Sequence, residues 1–194
     1  MTVEDFNKLI RQRRSVFPKD YTGEKVDDSI ILQLLENANW APTHKLTEPW
    51  RFKVFCENGI NKFAEYQANE YYNSFYGTEK FLEKKYNKLL NGPLKCSHII
   101  SIGMHRAREV MLPEIEEIAA VACAVQNILL SATAYKLGAY WTTGGVTYNS
   151  NAKAFFDLEE PDKLLGFIYL GVVNNLPEAG KRTPIEQKVS WCKE

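Results

Sequence analysis

"PEIEEIAAVACAVQNILLSATAYKLG", residues 113–138, decides the architecture of this 194-residue chain. Pro113 stands where a helix takes its first residue, and Glu114, Glu116 and Glu117 put negative charge at the positive end of the helix dipole. Gly138 supplies a stop, so the stretch predicts a helix to Leu137 of about 25 residues, roughly 37 Å long. From Ile118 to Leu130 it is apolar nearly all round, and one sheet cannot cover such a helix. The surplus face needs a further helix layer or a second subunit, and a homodimer is the expectation. Gln126, Asn127, Ser131 and Thr133 interrupt the run, whereas a bilayer span wants roughly 20 mostly apolar residues. The stretch therefore reads as a helix buried in protein, with no membrane partner.

Downstream, residues 139–143 predict a strand, Asn149 or Ser150 caps a short helix through Phe156, and "LLGFIYLGVV" (164–173) is the clearest buried strand. Upstream, "SHIISIGM" (97–104) is a second buried strand. Phe52, Val54 and Cys56 alternate with Arg51 and Lys53 to give a third, which Asn58-Gly59 turns. Phe6, Leu9 and Ile10 repeat at helical spacing in a first helix that runs into Arg13, Arg14 and Ser15. Asp27 or Asp28 caps a second helix with the stripe Ile30, Ile31, Leu34, Leu35 and Ala38, stopped by Pro42.

Residues 60–91 are charged, tyrosine-rich and helical, and Tyr71, Tyr72, Phe75 and Tyr76 bring more rings than a solvent face needs. This excursion, about 60–95, is expected to form a lid or a dimer contact. The tail offers a terminal helix after Thr183-Pro184. Strands and helices alternate irregularly, so the class is α+β, a layered sheet with helices. Without repeat or linker, residues 1–194 are read as a single domain.

Composition narrows the function. Lysine plus arginine number 24 and aspartate plus glutamate 24, so no long-range field gathers nucleic acid or an anionic membrane, and any anion must be held locally. The N-terminus has acids before its basic cluster and no apolar core, which is the pattern of neither a signal nor a transit peptide; cytoplasmic residence is the expectation. The four cysteines contain no C-x-x-C and the three histidines no zinc spacing, so reduced thiols and no metal are expected. The nucleotide-binding glycine fingerprints and the serine-hydrolase elbow are absent as well.

Four spaced stretches remain: Arg13-Arg14-Ser15, "NWAPTHKLTEPWRF" (39–52), "YWTTGG" (140–145) and "GKRTP" (180–184). An Arg-Arg-Ser run ending the first helix, an Ala-Pro…Pro-Trp-Arg-Phe segment after the second, and a long Ala-rich helix leading to Gly-x-Tyr-Trp, taken in this order, resemble the nitroreductase family of FMN-dependent oxidoreductases across nearly the whole chain. The resemblance implies that family's fold, a mostly antiparallel central sheet flanked by helices with the long helix at a dimer interface. It also implies a homodimer with FMN at that interface, lined by both chains.

On the resemblance, Arg13, Arg14 and Ser15 match the phosphate and ribityl contacts, and Arg182 with Lys181 matches the C-terminal basic residue closing on the same phosphate. Guanidinium groups suit this task because they give phosphate oxygens charge-assisted, often bidentate hydrogen bonds. Pro42, Thr43, His44 and Lys45 match a compact branch in which a His-Lys pair reaches the partner's flavin. Thr142, Thr143 and Gly144 sit at a strand end where hydroxyls and amides can meet the flavin edge, and Trp141 is either core or a cofactor contact. Leu46 and Glu48 depart from the commoner family amides. An ionised Glu48 only accepts hydrogen bonds, so it meets the flavin N3–H or pairs with Lys45 or Arg51.

The function implied is a hydride transfer from NADH or NADPH through FMN to a small acceptor such as a nitroaromatic, quinone or enone, with ping-pong kinetics and no catalytic side chain. The alternative is a non-catalytic FMN-binding protein, a sensor or flavin reservoir.

Overall fold

The computed structural model describes residues 2–193. Five α-helices are present among them: α1 (Val3–Gln12), α2 (Asp28–Asn39), α3 (Asn58–Phe75), α4 (Glu83–Asn91) and α5 (Glu114–Ala134). Four strands, β1 (Trp50–Cys56), β2 (His98–Met104), β3 (Leu137–Thr142) and β4 (Lys163–Val172), form one sheet in the order β1-β2-β4-β3, with every neighbour antiparallel. The expected α+β class and mostly antiparallel sheet are found.

Strand β2 is buried along its whole length, because it lies inside the sheet and both of its faces are covered. Successive residues of a strand point to opposite faces, and the two cores divide accordingly. Ile100, Ile102, Ile168 and Leu170 pack with Ile31, Leu34 and Ala38 of α2 and with Val121, Ala124, Val125 and Ile128 of α5. Ile99 and Phe167 pack on the other face with Phe55, Phe63 and Phe156.

α5 begins at Glu114, one residue later than the sequence predicts, with Pro113 as its N-cap rather than its first residue. It ends at Ala134 rather than Leu137. The turn is made by Lys136, which adopts a left-handed φ of 58°, and Gly138 lies inside β3. Glycine is needed at 138 for space rather than as a stop. Gly138 and Gly171 are partners across the β3–β4 ladder. A Cβ at either would come within 2.6 and 2.5 Å of the Tyr21 ring.

Tyr21 is buried, and its hydroxyl donates to the carbonyls of Val16 at 2.8 Å or Tyr169 at 3.0 Å. Val16 N–H donates to Ala139 O, Thr22 N–H to Val172 O, and Ser15 pairs in parallel with Ala139. The segment following α1 is thereby locked onto β3 and β4.

α5 is the one described helix long and apolar enough to cross a membrane, and half of its apolar stretch is buried in the protein. Its opposite face keeps Ile115, Ala119, Cys123 and Gln126 exposed, and α1 buries none of its residues, so Val3, Phe6 and Ile10 are exposed too. Asp27 is the cap of α2. The terminal helix is reduced to one turn, Ile185–Lys188.

The excursion is an α3–α4 hairpin. Its rings pack chiefly on one another: Tyr71 on Phe75 and Phe81, Tyr72 on Tyr76 and Tyr86. The Lys85 ammonium lies 4.6 Å from the Tyr71 ring centre, a favourable cation–π position.

Candidate functional site

α1 stops at Gln12, with Arg13 as its C-cap, so the two arginines lie just beyond the helix rather than within it. Arg14 Nη1 donates to the carbonyl of Glu178 at 2.5 Å, which pins the C-terminal segment to the end of α1. Arg182 Nη1 donates to the carbonyl of Lys181 at 2.8 Å. A Cβ on Gly180 would stand 3.0 Å from Arg182 Nη1 and 3.5 Å from Arg14 Nε. Two guanidinium groups from opposite ends of the sequence thus share one spot.

None of Arg13, Arg14, Lys181 and Arg182 forms an ion pair with a described carboxylate. Like charges repel, so the Arg14–Arg182 pair is electrostatically matched to an anion that accepts several hydrogen bonds. A phosphate monoester fits that requirement. Glu178, whose carbonyl fixes Arg14, carried no signal in the sequence, because any residue supplies a carbonyl.

Ser15, paired with Ala139, leads along β3 to the second group. Thr142 closes the strand, three residues or about 10 Å further on. Thr142 Oγ1 accepts from Gly144 N–H at 3.2 Å, and Thr147 Oγ1 donates to Gly144 O at 2.8 Å. Thr143 and Gly144 are exposed. The expectation of an open turn at the strand end holds, though the Gly144 amide is already engaged within it. Trp141 packs against the core, with its indole N–H donated to Leu165 O at 3.1 Å. Its polar atom is spent on the fold, which favours the core role of the two expected.

The third group is the loop between α2 and β1. Lys45, Leu46 and Glu48 have φ of 51°, 53° and 43°, a left-handed run that costs non-glycine residues of order 1–3 kcal/mol each. Thr43 helps hold it: its Oγ1 accepts from Glu48 N–H at 3.2 Å and lies 3.1 Å from Thr47 Oγ1. His44 Nδ1 lies 2.5 Å from Glu116 Oε2, tying the loop to the first turn of α5. Lys45, Leu46 and the preceding Pro42 are exposed.

The Glu48 carboxylate pairs with neither Lys45 nor Arg51. Arg51 Nη1 instead donates to the carbonyls of Glu48 and Trp50 at 3.0 and 2.8 Å. This loop is tied to α5 through His44, whereas the segment after the arginines and the threonine turn are joined by β3.

The Nitroreductase family profile matches residues 10–172. The chain is 31% identical over 186 residues to YfhC of Bacillus subtilis, which is provisionally named an NAD(P)H nitroreductase; 93% of this chain and 90% of that protein align. The crystal structure of a nitroreductase-like family protein from Bacillus cereus superposes with a TM-score of 0.83 at 27% identity, covering 100% of this chain and 99% of the other. A provisionally named nitroreductase from Desulfovibrio desulfuricans, solved in complex with FMN, superposes at 0.69 with 26% identity, covering 97% and 96%. With a profile match spanning most of its length and relatives aligned nearly end to end, the chain belongs to the nitroreductase family.

Proposed function

We propose that this protein is a cytoplasmic, homodimeric flavoenzyme that binds FMN, oxidises NADH or NADPH, and reduces a small acceptor such as a nitroaromatic, quinone or enone. The observation that carries the reading is the meeting of Arg14 and Arg182 at Gly180, neither of them in an ion pair with a described carboxylate. The FMN-bound relative and the NAD(P)H in the relative's name support the choice of cofactor and donor.

When bound, FMN would supply the redox chemistry that couples oxidation of the nicotinamide to reduction of the acceptor, with ping-pong kinetics. The protein's part is binding, orientation and electrostatics. Arg13, Arg14, Lys181 and Arg182 hold the phosphate through charge-assisted bonds, and Arg14 is pre-aimed by Glu178 O, which lowers the ordering cost of binding. Ser15 serves the ribityl side of the same group. Thr142, Thr143 and Gly144 present hydroxyls and backbone to the flavin edge, with Trp141 as their support beneath.

The exposed apolar faces of α1 and α5 are the surfaces two copies bury against each other. Pro42, Thr43, His44 and Lys45, in the loop tied to the start of α5 by His44, would serve the flavin of the other subunit, where the Lys45 cation would stabilise the reduced ring. Glu48, unpaired with Lys45 or Arg51, is free to accept from the flavin N3–H.

The test is the visible spectrum of the purified protein with FMN, followed by NADH or NADPH under argon. Yellow protein that bleaches supports the enzyme. Yellow protein that keeps its colour with both donors supports a flavin-binding sensor or reservoir instead. Protein that takes up no FMN contradicts both.

A further inference from the structure

Gln67 is a polar side chain in the core, 2% exposed, on α3. Its Nε2 donates to the carbonyl of Leu89 on α4 at 3.1 Å. Its Oε1 lies 2.7 Å from where a Cβ of Gly145 would stand. Gly145 has φ +64°, so both the backbone conformation and the amide behind it require glycine. The Tyr169 hydroxyl of β4 is a further polar neighbour. Gln67 is therefore wedged between the helical hairpin, the sheet and the turn that follows Thr142.

Glu70 and Tyr71, three and four residues on, share its helix face. Glu70 Oε2 accepts from Asn149 Nδ2 at 2.7 Å, at the far end of the same turn. The Tyr71 hydroxyl donates to Lys80 O at 3.0 Å and accepts from Leu82 N–H at 2.9 Å, closing the hairpin. One face of α3 thus holds the hairpin on one side and residues 145–149 on the other. From within, the turn is braced by its own threonines, Thr142 and Thr147, on Gly144, and by the Asn149 N–H donated to Val146 O at 2.9 Å.

We propose that Gln67 is a positioning residue of the flavin site: by backing Gly145 while anchored to Leu89, it sets how closely Thr142, Thr143 and Gly144 approach the flavin edge. The inference rests on the function proposed above and adds to it that the α3–α4 hairpin is mechanically part of the site. Donors at the flavin edge stabilise the electron-rich reduced ring. A turn that recedes therefore weakens FMN binding and makes the flavin potential more negative.

The experiment compares wild type with Gln67→Met, which keeps the volume and removes both polar atoms. Gln67→Asn, which keeps an amide but withdraws it by one methylene, serves as the milder variant if Gln67→Met does not fold. Three quantities are read: the FMN dissociation constant by flavin fluorescence, the midpoint potential of the bound flavin by dye equilibration, and the melting temperature of the FMN-free protein. The expected result is about a tenfold weaker FMN complex and a more negative potential, with Gln67→Asn between Gln67→Met and wild type. A variant with a lowered melting temperature but wild-type FMN affinity and potential has lost only fold stability and overturns the positioning role. Wild-type protein that binds no FMN overturns the preceding function, and this inference with it.

Discussion

Gly138 and Gly171 face each other across the β3–β4 ladder, and the Tyr21 ring occupies the space their side chains would take. This contact fastens residues 15–22 to the sheet and so fixes Arg13, Arg14 and Ser15 relative to Thr142. Gly171→Ala forces a methyl to within 2.5 Å of a buried ring. The expected loss is about 1–3 kcal/mol, as for other overpacked cores. Urea unfolding checks it, and a variant as stable as wild type contradicts the packing role of the pair.

Arg106 and Glu117 form an ion pair in which Glu117 is 1% exposed and also accepts from Ala107 N–H at 3.0 Å. Removing one partner strands the other charge. Arg106→Met is expected to cost about 3–5 kcal/mol, and adding Glu117→Leu to recover part of it. A double-mutant cycle by chemical denaturation measures the coupling.

Asp162 sets an acid limb of stability. Burial pushes its carboxyl up, but the amide N–H groups of Arg106 and Glu159, at 3.0 and 3.2 Å, and His105 outweigh that and hold it below its ordinary value. A lowered folded value means that the unfolded chain binds the proton more readily. The contribution is therefore whole above the unfolded value of about 3.9 and is lost as pH falls through the folded one. Asp162→Asn is expected to be less stable than wild type at neutral pH, with the gap closing below about pH 4. A gap independent of pH contradicts this.

Lys45 tests the part of the site assigned to the α2–β1 loop. Under the proposed function, Lys45→Met makes the potential of bound FMN more negative, because a cation near the reduced ring is lost. An unchanged potential removes Lys45 from that role. Since Lys45 is exposed and forms no ion pair with a described carboxylate, its loss is expected to change stability by less than about 0.5 kcal/mol.

The sequence was most legible where periodicity and end signals agree. Pro113 and the three glutamates marked the start of α5, and the apolar runs at 97–104 and 164–173 marked β2 and β4 within a residue or so. It was misleading at Gly138, where glycine suggested a helix stop. The real turn used Lys136 in a left-handed conformation, and the glycine answered to Tyr21, more than a hundred residues away. The basic pairs Arg13-Arg14 and Lys181-Arg182 were visible and the family resemblance implied that they converge, but the place of the meeting, at Gly180, was not legible, because it depends on the carbonyl of Glu178. Gln67 gave no warning at all: an amide in an amphipathic helix reads as surface until the fold brings Leu89 and Gly145 against it.

The most direct measurement is the affinity of the protein for FMN against riboflavin, which differ only by the phosphate. Wild type is expected to prefer FMN strongly, and Arg14→Gln and Arg182→Gln are each expected to weaken FMN by about 10- to 150-fold, the equivalent of about 1.5–3 kcal/mol. Riboflavin binding should change little in either variant. Equal wild-type affinities for the two flavins, or FMN binding unaffected by both substitutions, would contradict a phosphate held between the two ends of the chain.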